Sequence, residues 1–207
     1  MFKKDISKLH TMAILDKEYI DSYLKNPKNI GYSYEYEVKN DDGLVEKYKY
    51  HISFDDTYAF SFSYEYEDSD KNKVNKYLKD NYLYVQTTHT STKKALTSGE
   101  LSELKVDILN KIKSAHEVSF STITNSKNDA IKTGLNFSFS PFYFLGTKVQ
   151  VDGEGKNATD YKFCFDLTGR LRKIHFEDSQ KQNITIKLSE KSAKIKFPDF
   201  KDYTTQK

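Results

Sequence analysis

Cysteine occurs once in the 207 residues, tryptophan not at all and arginine only twice. The lone Cys164 rules out an internal disulfide, and no thiolate metal cluster can be assembled within one chain. With only Arg170 and Arg172, the chain lacks the planar forks that grip phosphates and base edges in pairs. The 33 basic and 30 acidic residues leave a net charge of +3, spread without a basic tract, so the electrostatic footprint of a nucleic-acid binder is missing. No stretch approaches the roughly 20 apolar residues of a membrane-spanning helix. The start, Met1-Phe2-Lys3-Lys4-Asp5, has no apolar signal-peptide core, and the chain reads as soluble and water-facing.

Signature motifs of catalysis are also missing. There is no G-x-S-x-G elbow, phosphate-binding loop, dinucleotide fingerprint or helical H-E-x-x-H. His10, His51, His89, His116 and His175 lack metal-ligand spacing and read as ordinary surface or strand residues. Asp68-Ser69-Asp70-Lys71-Asn72 begins like a calcium loop, but Lys73 and Lys79 stand where that loop needs Gly and Glu; a solvated turn is the reading. Cys164 has no neighbouring His and no small-residue elbow, which argues against a catalytic thiol. No cofactor and no metal is expected, and the chain reads as a non-enzyme.

What the sequence has in quantity is aromatic residues, 16 Tyr and 14 Phe, far more than a disordered chain carries. Most lie in alternating runs. Tyr32, Tyr34, Tyr36 and Val38 alternate with Ser33, Glu35, Glu37 and Lys39; Tyr48, Tyr50, Ile52 and Phe54 follow the turn Asn40–Gly43; and Tyr58, Phe60, Phe62, Tyr64 and Tyr66 follow Asp55-Asp56. Three strands with short polar turns predict an antiparallel meander over 32–66. A loop is predicted over 67–76 and a fourth strand from Tyr82 to about Thr88. Thr97 and Glu100 have capping-box spacing ahead of Leu101, Leu104, Ile108, Ile112 and Ala115, predicting a helix over 98–115. An earlier helix is predicted over 7–24, closed by Asn26-Pro27.

Further on, Val118–Ile123 reads as a short strand and Asn128–Lys132 as a helical turn. The C-terminal strands span about 135–198, with a break at Pro141, a turn at Asp152–Gly155 and a hairpin at Asp166–Gly169. The last pairing expected is Ile184, Ile186 and Leu188 with Ala193, Ile195 and Phe197. The sum is nine or ten strands and two or three helices in one domain over 1–207. The fold class is α+β, a large curved antiparallel sheet, or open half-barrel, with the helices packed on its concave face.

The stretch Thr159–Ile174, with its Gly169 turn, resembles the late hairpin of bacterial lipoprotein-handling proteins of the LolA and LppX type. The tail Phe197-Pro198-Asp199-Phe200-Lys201-Asp202-Tyr203 and the strand Asn81–Val85 ahead of the helix at Leu101–Ile112 are similar to that architecture too. The resemblance implies an extracytoplasmic protein, secreted or anchored to the membrane as a lipoprotein, that holds a lipid or other amphiphile in an apolar cavity. No lipobox cysteine stands in the sequence, so any peripheral membrane association would run through an anchor outside it.

Residues expected to line such a cavity are Tyr34, Tyr36, Tyr50, Phe54, Phe60, Phe62, Tyr64, Phe137, Phe139, Phe163 and Phe165. Two readings compete for them. A wide sheet under few helices leaves an incompletely filled apolar space, and buried tyrosine hydroxyls need partners, which suits an amphiphile. Alternatively the same side chains fill the core of a structural or adhesive surface domain, as apolar strand faces ordinarily do. A hydrolase with carboxylates converging from distant positions stands third.

Overall fold

A computed structural model describes residues 2–125, 131–134, 145–153, 156–166 and 168–205, with side chains for 8–125, 161–166 and 168–205. In chain order the elements are α1 (Phe2–Lys25), β1 (Ile30–Asn40), β2 (Gly43–Phe54), β3 (Phe60–Asp68), β4 (Lys73–Lys79), β5 (Tyr82–Gln86), β6 (Ser91–Ala95), α2 (Ser98–Asn125), β7 (Ile131–Gly134), β8 (Leu145–Gly153), β9 (Lys156–Phe165), β10 (Leu171–Glu177), β11 (Asn183–Lys191) and β12 (Thr204–Thr205). They fall into two compact units, one of residues 1–25 and 111–188, the other of 26–110 and 189–207.

The second unit carries the meander. Strands β1 to β6 follow one another antiparallel, and β12 pairs parallel with β6, Thr204 opposite Thr92. Alternation puts Tyr32, Ile52, Phe62 and Leu78 in one cross-strand row, each no more than 2 % exposed. Burying a side chain of this size stabilises by about 1.5–3 kcal/mol, so this row is the anchor of the unit. The opposite face carries Ser33, Glu35, Lys49, His51, Ser53 and Glu65.

Across that opposite face runs the segment after β11, where a further strand was expected. His51 Nε2–H donates to the Ser192 carbonyl at 3.1 Å and the Ser53 hydroxyl to that of Ala193 at 2.5 Å. Gly31 makes room, since a Cβ there would run into the Ser192 backbone. Farther along, Phe200 stacks on Tyr84 with centroids 3.7 Å apart, and Tyr203 is buried beside them. Residues 193–197 therefore form a strap and not a hairpin partner; the Ser192 and Ala193 carbonyls are taken by side chains of β2, and Phe197 packs on Tyr77.

The first unit has strand order β11-β10-β9-β8-β7, antiparallel throughout. Its core takes Leu9, Ala13 and Ile20 from α1, Ile112 and Ile123 from α2, Phe163 and Phe165 from β9, and Leu171 and Ile174 from β10. Inside it Asp16 and His116 are 1 % and 2 % exposed. Asp16 Oδ2 accepts from His116 Nδ1–H at 2.6 Å, and Oδ1 accepts from the Leu171 backbone N–H at 2.8 Å.

One turn design recurs in four hairpins. At Asp55, Asp68, Asp166 and Asp178 the carboxylate accepts backbone N–H groups two and four residues on, while the fourth residue of each turn adopts positive φ: Tyr58, Lys71, Gly169 and Lys181. Aspartate suits the first place because its short side chain reaches its own following backbone.

Several expectations are corrected. Val118–Ile123 is not a strand: α2 continues to Asn125, because Ile112, Ala115, His116, Ser119 and Ile123 keep one helical face buried. The loop expected over 67–76 is mostly the end of β3 and the start of β4; Val74 and Lys76 pair with Tyr66 and Tyr64, and the Lys76 ammonium lies 5.4 Å over the Tyr64 ring. The third strand starts at Phe60, not Tyr58, whose positive φ belongs to the Asp55 turn. β6 and β12 were not expected, and both are polar. Ile131–Gly134 is a strand paired with β8, not part of a helical turn. His116 is a buried partner, not a surface residue. Phe137, Phe139 and Pro141 lie outside the described residues.

Candidate functional site: a tyrosine wall

The strands β1–β3 present a graded surface on the face that carries the sealed Tyr32–Ile52–Phe62–Leu78 row. The next row, Tyr34, Tyr50 and Tyr64, and the one after it, Tyr36, Tyr48 and Tyr66, are set by the same register. Tyr34 is 6 % exposed; the other five are half-buried. The rings interlock across the strands, Tyr36 on Tyr48 at 4.9 Å and Tyr50 on Tyr64 at 4.7 Å between centroids. Such contacts orient large side chains with little entropy left to lose, which makes a firm wall.

Hydroxyls punctuate it. Tyr34 and Tyr48 hydrogen-bond to one another, and Asp107 of α2 lies close enough to act on Tyr50. Burial pushes Tyr34 and Tyr64 up to about 12; it also raises Tyr50, and Tyr48 further still. In every case loss of water around the phenolate is the first cause, with neighbouring phenols or carboxylates adding to it. Tyr34, Tyr48, Tyr50 and Tyr64 are therefore uncharged at physiological pH. The wall's cations are Lys76 over Tyr64 and Lys105 of α2, 5.1 Å over the Phe54 ring.

The expected lining residues separate by exposure. Tyr36, Tyr50, Phe60 and Tyr64 keep accessible surface, whereas Phe54, Phe62, Phe163 and Phe165 are sealed at 0–1 % and Tyr34 nearly so. The first six of the eleven, with Tyr64, share one face of β1–β3; Phe163 and Phe165 belong to β9 in the other unit. Tyr48 has the same parity as Tyr50 and Ile52, a signal sufficient to place it on the wall, yet it was not among the expected lining residues.

His175 Nδ1 bonds the Thr185 hydroxyl at 3.0 Å, and burial lowers the pKa of both His51 and His175. Cys164 is buried. Among the described residues no three His, Cys, Asp or Glu side chains gather as a metal site, and no helix is long and apolar enough to cross a membrane.

Comparison with solved structures bears on the fold. LprF from Mycobacterium bovis superposes with a TM-score of 0.55 at 10 % identity, over 93 % of this chain and 97 % of that one. The chain shares a fold with LprF. The likeness is one of fold alone: the α+β class with a large antiparallel sheet is shown, with two helices among the described residues. Lipoprotein LppX from Mycobacterium tuberculosis matches at 0.42 and 9 % identity over 88 % of this chain and 94 % of that one. The LolA superfamily protein NE2245 from Nitrosomonas europaea matches at 0.25 and 11 % over 90 % and 94 %; neither of these two scores carries weight beside LprF. No family model and no curated protein sequence matches the chain.

Proposed function

We propose that the protein is a non-enzymatic, extracytoplasmic carrier that holds a lipid or other amphiphile against the tyrosine wall. The observation that carries this reading is the grading of one sheet face, from a sealed apolar row to interlocked tyrosines that remain half-exposed. A dry core does not leave five phenol rings with accessible surface. An amphiphile does need both features, apolar area for its chain and uncharged hydroxyls for the part where the chain meets its head. The fold shared with LprF supports the reading.

Native mass spectrometry of the purified protein, before and after organic extraction, tests the reading. The expected result is a near-stoichiometric acyl-chain adduct that is lost on extraction, regained on incubation with phospholipid vesicles, and reduced in Tyr50→Ala and Tyr64→Ala. An unadorned mass with no uptake would favour a packed structural domain.

A further inference from the structure

A charged side chain stands inside the tyrosine wall. Lys76 of β4 continues the row Tyr34–Tyr50–Tyr64 by register, with Tyr64 opposite it on one side and Val85 of β5 on the other. Alternation gives it Val74 and Leu78 as same-face neighbours along its own strand. All four neighbours are apolar or aromatic, and Lys76 is half-buried among them. Its ammonium lies 5.4 Å over the Tyr64 ring and makes no ion pair among the described residues.

On the opposite face of the same strands lysines do have carboxylate partners, Lys47 with Glu35 and Lys73 with Glu67. A ring face attracts a cation but accepts none of the strong hydrogen bonds an ammonium donates, so the donors of Lys76 are left to whatever lies over the wall. The other charges that reach the wall stand around it. Lys105 covers the sealed Phe54, four residues along β2 from Tyr50. Glu46 acts on Tyr64 and Tyr66, Asp68 on Tyr66, and Asp107 of α2 on Tyr50. A negative group on the wall is repelled by these carboxylates and drawn to Lys76, whereas an uncharged head gains nothing from the ammonium's charge.

We propose that the wall selects an amphiphile with an anionic head group, a carboxylate or a phosphate, and that Lys76 is the residue that selects it. This deepens the carrier reading and rests on it. With the head at Lys76, the row Tyr64–Tyr50–Tyr34 offers the chain an aromatic path across β3, β2 and β1, at strand spacings of about 4.8 Å.

Isothermal titration calorimetry of the full chain with laurate, dodecyl phosphate, monolaurin and dodecyltrimethylammonium, each below its micelle concentration, tests it. The equal chains isolate the head group. Laurate and dodecyl phosphate should bind about tenfold tighter than monolaurin, and the cationic amphiphile weakest. Lys76→Gln should lower laurate to the level of monolaurin, and Lys76→Arg should restore the difference. A Lys76→Gln protein that still prefers laurate would overturn the proposal, leaving Lys76 a packing partner of Tyr64. Equal affinity of the unchanged chain for all four, each weakened by Tyr64→Ala, would overturn it too and leave the carrier reading standing; binding of none would remove both. Displacement of laurate by inorganic phosphate at matched ionic strength would also overturn it, since the site would then take a free anion and not an amphiphile.

Discussion

Replacing His116 by alanine should be among the most damaging single changes in the chain. Asp16 makes two hydrogen bonds, to His116 at 2.6 Å and to the Leu171 N–H at 2.8 Å, in a site where both partners are at most 2 % exposed. Because a carboxylate only accepts, His116 must present its proton at Nδ1. Removing the imidazole leaves a buried carboxylate with one donor in place of two, and breaking such a pair costs about 3–5 kcal/mol. Asp16→Ala instead orphans two donors, the Leu171 N–H and the His116 N–H, at about 1–3 kcal/mol each.

Since each single change already destroys the shared bond, the double variant should cost about 1–3 kcal/mol less than the sum of the two. Urea unfolding followed by circular dichroism measures all three. A loss under about 1 kcal/mol for His116→Ala would mean that the pair does not hold α1 in place. Additivity within about 0.5 kcal/mol would mean that the two side chains act separately, and either result refutes the reasoning.

Three further outcomes follow from local geometry. Tyr58→Gly should stabilise the protein by about 0.5–1 kcal/mol, because Tyr58 holds φ 65° where its sister turn uses Gly169; urea midpoints would show it, and a loss of stability would contradict it. Gly31→Ala should cost about 1–3 kcal/mol, since the added Cβ meets the Ser192 backbone, and it should raise proteolytic cleavage within the strap; a neutral effect would show that the strap yields without strain. In alkali the wall should titrate late. Tyr34 and Tyr64 are raised to about 12 in the folded state, so their contribution is complete below the ordinary tyrosine pKa near 10 and is lost as pH rises through 12. Phenolate absorbance should rise in two waves, the second together with loss of circular dichroism, and a single wave near pH 10 in a still-folded protein would count against the buried wall.

How much was legible in the sequence depended on whether burial left a period. Tyr32 to Tyr66 alternate because one face of the meander is covered and the other wet, and the three strands and their pairing follow from that alone. β4 was obscured because Lys76 holds a wall position by laying its ammonium on Tyr64, so a residue that reads as solvated belongs to the aromatic face. The end of α2 was misread for a related reason. Val118, Phe120 and Thr122 are β-formers in alternation, and the helical face that overrules them is kept by His116 and Ser119, polar residues that no hydrophobic count includes.

The same cause hid the pair on which the first unit depends. Asp16 sits among Ala13, Ile20 and Leu24 on the buried face of α1, and its partner is 100 positions away. In a single sequence a buried polar residue and an exposed one look alike; only the partner makes burial affordable, and the partner is visible only in the fold. For the tyrosine wall the ambiguity runs the other way. Phe62 and Tyr64 have the same parity and nearly the same apolar area, yet one is sealed and the other half-exposed. The difference lies in what stands over them, which is why an alternating aromatic strand announces a face but not whether that face is core or binding surface. Substituting both residues would separate the roles: Phe62→Ala should cost about 3–5 kcal/mol of stability, as for a packed core phenylalanine, while Tyr64→Ala should cost less stability and more ligand.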